Sequence, residues 1–142
     1  MNGKTPARVS FAALDRQKGI PEPGPTSGDE YPLEAWYRSV RQVPLDELAT
    51  EDICKAVRQS IHIERVVPLA LRVLESDPAA GELYDSELLA SLKAVPAQYW
   101  REHPIERRSA ISLIEAALAD EQISDDVRRD GQEVLSKTGE PR

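Results

Sequence analysis

The chain predicts an all-α fold of six or seven helices, arranged as a single compact bundle around a central apolar helical hairpin. Three observations predict it. Apolar residues recur at three- and four-residue intervals through most of the chain after Tyr31, the spacing of one helix face. No run of alternating apolar and polar residues bounded by turns suggests a strand. Prolines stand where helices open or close, at Pro32, Pro44, Pro78, Pro96 and Pro104, where the missing N–H is least missed.

Residues 1–30 read as a flexible tail, because Gly19, Pro21, Pro23, Gly24, Pro25 and Gly28 interrupt any regular element. Its one apolar patch, Val9 to Leu14, has a short docked helix as the alternative. The domain is expected over residues 31–137, with 138–142 frayed.

Pro32 opens a helix whose i, i+3, i+4, i+7 face is Leu33, Trp36, Tyr37 and Val40. Pro44 starts a short piece with Leu45 and Leu48 inward. Thr50 reads as the cap of a helix with Glu51 and Asp52 at its positive end and Ile53, Ala56 and Val57 inward. The central helix carries Ile63, Val66, Val67, Ala70, Leu71, Val73 and Leu74, with Leu69 widening the stripe, so it belongs inside the domain. A start near Glu64 would put Pro68 in the first turn, where its missing N–H breaks no bond; a kink is the alternative.

Ser76-Asp77-Pro78 ends that helix. Gly81 frees the connection, and Asp85 or Ser86 caps a second helix with Leu88, Leu89, Leu92 and Val95. The short loop predicts antiparallel neighbours. Pro96 opens a segment with Tyr99 and Trp100. Pro104 opens a helix with Ile105, Ile111, Ile114 and Leu118, and with Ala110 and Ala117 for close packing. Ser124 caps the last helix, with Val127, Val134 and Leu135 inward. Gly131 is expected to weaken it by ~1 kcal/mol relative to Ala.

The 142 residues carry 25 acidic and 18 basic side chains, a net charge of −7. That balance suits a basic partner or is simply the charge of an ordinary soluble surface, and it argues against binding nucleic acid, which depends on Lys and Arg. One cysteine precludes an intrachain disulfide. Neither a signal peptide nor a membrane span is expected, because no apolar run is long enough. A cytoplasmic, soluble protein is the expectation.

The inventory for chemistry is thin. His62 and His103 are far apart and neither has a second ligand at helical spacing, so neither a metal site nor a cofactor is expected. His62 between two isoleucines reads as structural, His103 as a residue at a helix end, and Cys54 as a buried thiol. No glycine-rich phosphate loop is present. The chain is not expected to be an enzyme.

Charge placement says more. Glu75, Asp77, Glu82, Asp85 and Glu87 surround the hairpin loop, and no Lys or Arg falls between Arg72 and Lys93. Asp46, Glu47, Glu51 and Asp52 make a second acidic run, preceded by Glu34. Acids at helix starts account for part of both runs. With Tyr84 beside the first, they are the candidate surface for a basic protein partner, and whichever of Trp36, Tyr84 and Trp100 is exposed is the candidate aromatic anchor.

From Leu33 to Leu118 the chain resembles the immunity proteins of bacterial contact-dependent growth inhibition systems. The residues that carry the resemblance come in order. They are Pro44-Leu45-Asp46-Glu47-Leu48 with Thr50-Glu51-Asp52, then Arg58-Gln59-Ser60-Ile61, and Val67-Pro68-Leu69-Ala70-Leu71 with Leu74-Glu75. Next come Asp77-Pro78, Gly81-Glu82-Leu83-Tyr84-Asp85 with Glu87-Leu88-Leu89, and Tyr99-Trp100 with His103-Pro104. The family pattern often has glycine where His62 stands.

The resemblance implies an α-helical, cytosolic, non-enzymatic inhibitor that neutralises the C-terminal toxin domain of its partner, many such toxins being nucleases. A nuclease cleft is basic, which agrees with an acidic inhibitor binding it one-to-one as a monomer. The toxin-binding candidates are therefore Asp46, Glu47, Glu51, Asp52, Glu75, Asp77, Glu82, Tyr84, Asp85 and Glu87. Family members meet different toxins, so a shared motif such as Gly81 to Leu89 is expected to build the fold rather than select the partner. A general helical adaptor without a toxin partner is the competing class.

Overall fold

A computed structural model describes residues 9–21, 32–81 and 84–138. These residues form eight α-helices and two 3₁₀ turns, and their one β contact is an isolated bridge between Ser10 and Pro44. The predicted all-α class is the observed one. The chain divides into two compact units, Met1–Leu48 and Ala49–Arg142.

In the first unit, α1 (Phe11–Gln17) is capped by Ser10, whose hydroxyl accepts from the Ala13 amide at 3.2 Å. Phe11, Ala12 and Leu14 are buried. They meet α2 (Pro32–Val40), where the Phe11 ring lies 5.4 Å from that of Tyr37 and edge-on to Trp36 at 6.5 Å. Asp15, also buried, accepts a 2.8 Å hydrogen bond from the Tyr37 hydroxyl and lies 3.8 Å from the Arg41 guanidinium. Backbone bonds from Ala12 to Arg41 and from Leu45 to Val9 complete the attachment. Within residues 9–21 the docked helix therefore forms in place of the expected tail. Composition could not reveal this, because the partners of Asp15 lie in α2 and beyond it. Residues 1–8 and 22–30 lie outside the described residues. On α2, Val40 is buried as predicted, but Leu33 is 39% exposed. A 3₁₀ turn at Leu45–Glu47 buries Leu45 and, just after it, Leu48.

The second unit begins with α3 (Thr50–Arg58). Thr50 is its first residue and not its cap; Ala49 holds that place, with no side-chain bond. Ile53, Cys54, Ala56 and Val57 face inward. Helix α4 (Ile63–Ser76) buries Val66, Val67, Ala70, Leu71 and Leu74. It starts at Ile63, so Pro68 falls in its second turn and the Glu64 carbonyl forgoes one helical bond. The expectation of Pro68 in the first turn fails on the count: Pro68 is the sixth helical residue, and even from Glu64 it would be the fifth, past the free N–H groups of the first turn. His62 opens the helix from the left-handed region, at φ 45°.

Helix α5 (Glu87–Ser91) runs into a 3₁₀ turn at Leu92–Ala94, and Leu88, Leu89, Leu92 and Val95 are all buried. It touches α4 but packs more extensively on α3 and α8, while α4 lies on α3 and α7. The apolar hairpin is thus opened around its neighbours. Helix α6 (Ala97–Glu102) buries Tyr99 and Trp100.

Helices α7 (Pro104–Ala119) and α8 (Asp125–Thr138) form the most extensive pairing in the unit. Ser124 accepts from the Val127 amide at 3.2 Å, as expected of its cap. Gly131 does more than weaken α8. A Cβ there would lie 3.1 Å from Ile114 and 3.8 Å from Leu89, so its absence brings α8 close to α7 and α5. Thr138, expected to fray, is buried, and its carbonyl accepts from Arg107 at 2.6 Å. Residues 139–142 lie outside the described residues.

Candidate functional site

The end of α4, the turn after it and one wall of α7 enclose a groove of about 890 Å³ within the second unit. It follows from helix geometry. On α7 the positions Ile105, Arg108, Ser109, Ser112, Leu113 and Ala116 form one stripe that lines the groove. Ala110, Ile114 and Ala117 are buried. Leu74 and Val127 supply apolar lining, and the α7–α8 connection adds Asp120 and Ile123.

The predicted acidic run at the hairpin loop is only partly gathered here. Glu75, Asp77 and Asp85 all line the groove and are exposed. Asp120, which the sequence did not single out, joins them, making four carboxylates against the one guanidinium of Arg108. Asp77 and Asp120 each also accept a bond from the backbone two residues on, which fixes the turns they stand in. Glu82 lies outside the described residues. Tyr84 is 51% exposed beside Asp85 but does not line the groove.

Glu87 is a correction. It is 1% exposed, and its carboxylate lies 3.5 Å from Arg58. A carboxylate so placed holds the start of α5 against α3 and has no surface to offer a partner. The residues around it work the same way. A Cβ on Gly81 would fall 2.7 Å from that of Glu87 and closer still to the Tyr84 carbonyl. Ser86 takes the cap position of α5, one of the two residues expected there, but it does so from the left-handed region at φ 70° and makes no side-chain cap bond; its hydroxyl instead donates to buried Asp130 at 2.6 Å. Asp130 also binds Lys93 at 3.0 Å, and Lys93 reaches Glu133 at 3.0 Å. Hydrogen bonding to Glu133, then to Asp130, raises the Lys93 pKa against the lowering by burial.

The other acidic run is divided. Asp46 and Glu47 stand exposed on the 3₁₀ turn of the first unit, and Glu51 and Asp52 in the first turn of α3 in the second. Asp46, Glu47 and Asp52 are each already engaged in an interaction.

Ile105, one of the isoleucines along α7, faces outward. It is 66% exposed at the groove. Nine residues separate it from buried Ile114, and at about 100° per residue the two point to opposite sides of α7. Of Trp36, Tyr84 and Trp100, the aromatic residues that could anchor a partner, Trp100 is buried and Trp36 half-buried, while Tyr84 is exposed.

The groups considered for chemistry are scattered. Cys54 is fully buried. His62 Nδ1 lies 3.9 Å from a Glu64 oxygen. His103 stacks on Tyr99 at 4.0 Å between ring centres and bonds its carbonyl at 2.8 Å. Burial, and then the charges of Glu106 and Glu64, push the Tyr99 phenol above its ordinary pKa. Among the described residues there is no group of three or more His, Cys, Asp or Glu able to hold a metal, and no helix long and apolar enough to cross a membrane.

A search of curated proteins finds no match for the chain. The family of CDI immunity proteins does match, over residues 21–110. That span includes α2 to α6, the whole Gly81 to Leu89 turn and the start of α7, and leaves out α1 and α8. The chain belongs to the CDI immunity proteins, the family its sequence resembles.

Proposed function

We propose that this chain acts in the cytoplasm as a non-enzymatic inhibitor that binds the C-terminal toxin domain of its own contact-dependent growth inhibition system one-to-one. The observation that carries the reading is the family match over residues 21–110. The toxin domain is basic, and a nuclease: such an enzyme gathers phosphate in a positive cleft, and a chain of net charge −7 competes for it. Asp46, Glu47, Glu51, Asp52, Glu75, Asp77, Tyr84 and Asp85 remain the contact candidates. Cys54, His62 and His103 have no part in the inhibition.

Co-expression with the toxin domain encoded beside it tests this. Growth should be rescued, and the two purified chains should co-elute as a one-to-one complex. A folded variant carrying Cys54→Ala, His62→Asn and His103→Gln should protect equally. Loss of growth despite abundant folded inhibitor would sink the reading and favour the adaptor. Failure of the folded triple variant alone would reopen catalysis.

A further inference from the structure

We infer that the groove between the end of α4 and the outer stripe of α7 is the docking centre for the toxin, and that it takes a segment presenting Lys or Arg beside an apolar side chain. The inference rests on the proposed function and adds to it a place and a chemistry.

At this groove an open apolar strip coincides with an excess of negative charge, four carboxylates against the one guanidinium of Arg108. Ile105, at 66% exposure, Leu113 and Ala116 line one wall. Glu75, Asp77, Asp85 and Asp120 are gathered in the same groove. No ion pair engages Glu75 or Asp85 among the described residues, whereas Asp46, Glu47 and Asp52 of the other run already have interactions. A long cationic side chain matches this surface: its methylene stem lies along Ile105 and Leu113 while its head reaches the carboxylates. About 890 Å³ accommodates a few side chains. It is therefore the centre of an interface of ~1,200–2,000 Å², with Tyr84 at its margin.

Stopped-flow association and dissociation of the full chain with the cognate toxin domain test this. Glu75→Lys with Asp85→Lys should slow association about tenfold or more at low salt and flatten its salt dependence. Ile105→Ser should speed dissociation about tenfold with little change in association. Ala116→Glu, on the same wall, is a second probe should Ile105→Ser fail to fold. Glu102→Lys, at an exposed residue outside the groove, should leave both rates near wild type. If wild type binds tightly and the groove variants match it, the groove is wrong and the inhibitor reading stands. If wild type itself neither binds nor protects, the inhibitor reading fails. A wild-type dimer in solution that Ile105→Ser dissociates would give the groove to a second copy and overturn the proposal.

Discussion

Glu87 holds its carboxylate 3.5 Å from the Arg58 guanidinium, with the acid 1% and the base 38% exposed. The pair is asymmetric: water screens one end and cannot reach the other. Arg58→Ala should therefore cost about 1–3 kcal/mol, because a buried carboxylate loses its counter-charge. Adding Glu87→Gln to Arg58→Ala should recover part of that loss in urea unfolding. Glu87→Gln alone should leave toxin association unchanged. A single Arg58 variant as stable as wild type would show that the pair contributes nothing.

Gly81 should tolerate no side chain. Gly81→Ala drives a Cβ into the Tyr84 carbonyl and to 2.7 Å from the Glu87 Cβ. Backbone has to move, and a loss of about 1–3 kcal/mol is expected from such overpacking. A melting temperature equal to that of wild type would contradict the close approach.

His62 occupies the left-handed region at φ 45° while its side chain is buried. Glycine there relieves strain and gives up imidazole packing, so His62→Gly should remain within about 1 kcal/mol of wild type. His62→Val should fare worse, by about 1–3 kcal/mol, since a β-branched residue resists that conformation. The order of the two unfolding midpoints is the measurement, and a valine variant above the glycine variant would reverse the account.

The alkaline limb of stability has a defined sign. Burial, then the hydrogen bond to Asp15 and its charge, raise the Tyr37 pKa, with Arg41 opposing. Tyr99 is raised by burial and by Glu106 and Glu64. A phenol whose folded pKa is raised stabilises the fold fully below its unfolded value of about 10, and that stability is lost as pH rises beyond it. Lys93, also raised, acts in the same direction. Urea midpoints should fall above about pH 10, and Tyr37→Phe and Tyr99→Phe should each make the fall shallower. Variants that follow the wild-type curve would remove these phenols as its cause.

The helical class was legible because helix period and proline placement agree along the chain, from Pro32 to Ser124. The buried faces of α3, α4 and α5 followed from the same period. What escaped was long-range. Nothing near Asp15 announces Tyr37 and Arg41, so α1 looked like tail. Ser86 carries a cap residue's chemistry but spends its hydroxyl on Asp130, 44 residues away. The sequence set Ile105 and Ile114 on one helix, and only turning that helix by about 100° per residue separates the exposed one from the buried one. At the candidate site, sequence collected the acids of the hairpin loop but could not tell outward Glu75 and Asp85 from inward Glu87, nor add Asp120 from across the groove.

That division within the loop has a consequence for how such a protein can change. Inward and outward residues lie directly next to one another along this short stretch. Ser86 and Glu87 are buried and Gly81 leaves no room for a Cβ, while Asp77, Tyr84 and Asp85 face solvent. Substitutions at Tyr84 and Asp85 leave the side-chain contacts of Arg58 and Asp130 and the room at Gly81 untouched. Under the proposed function, partner choice at those two positions is free to drift while the scaffold is held constant, so a lineage carrying this loop follows a changing toxin through single exposed replacements.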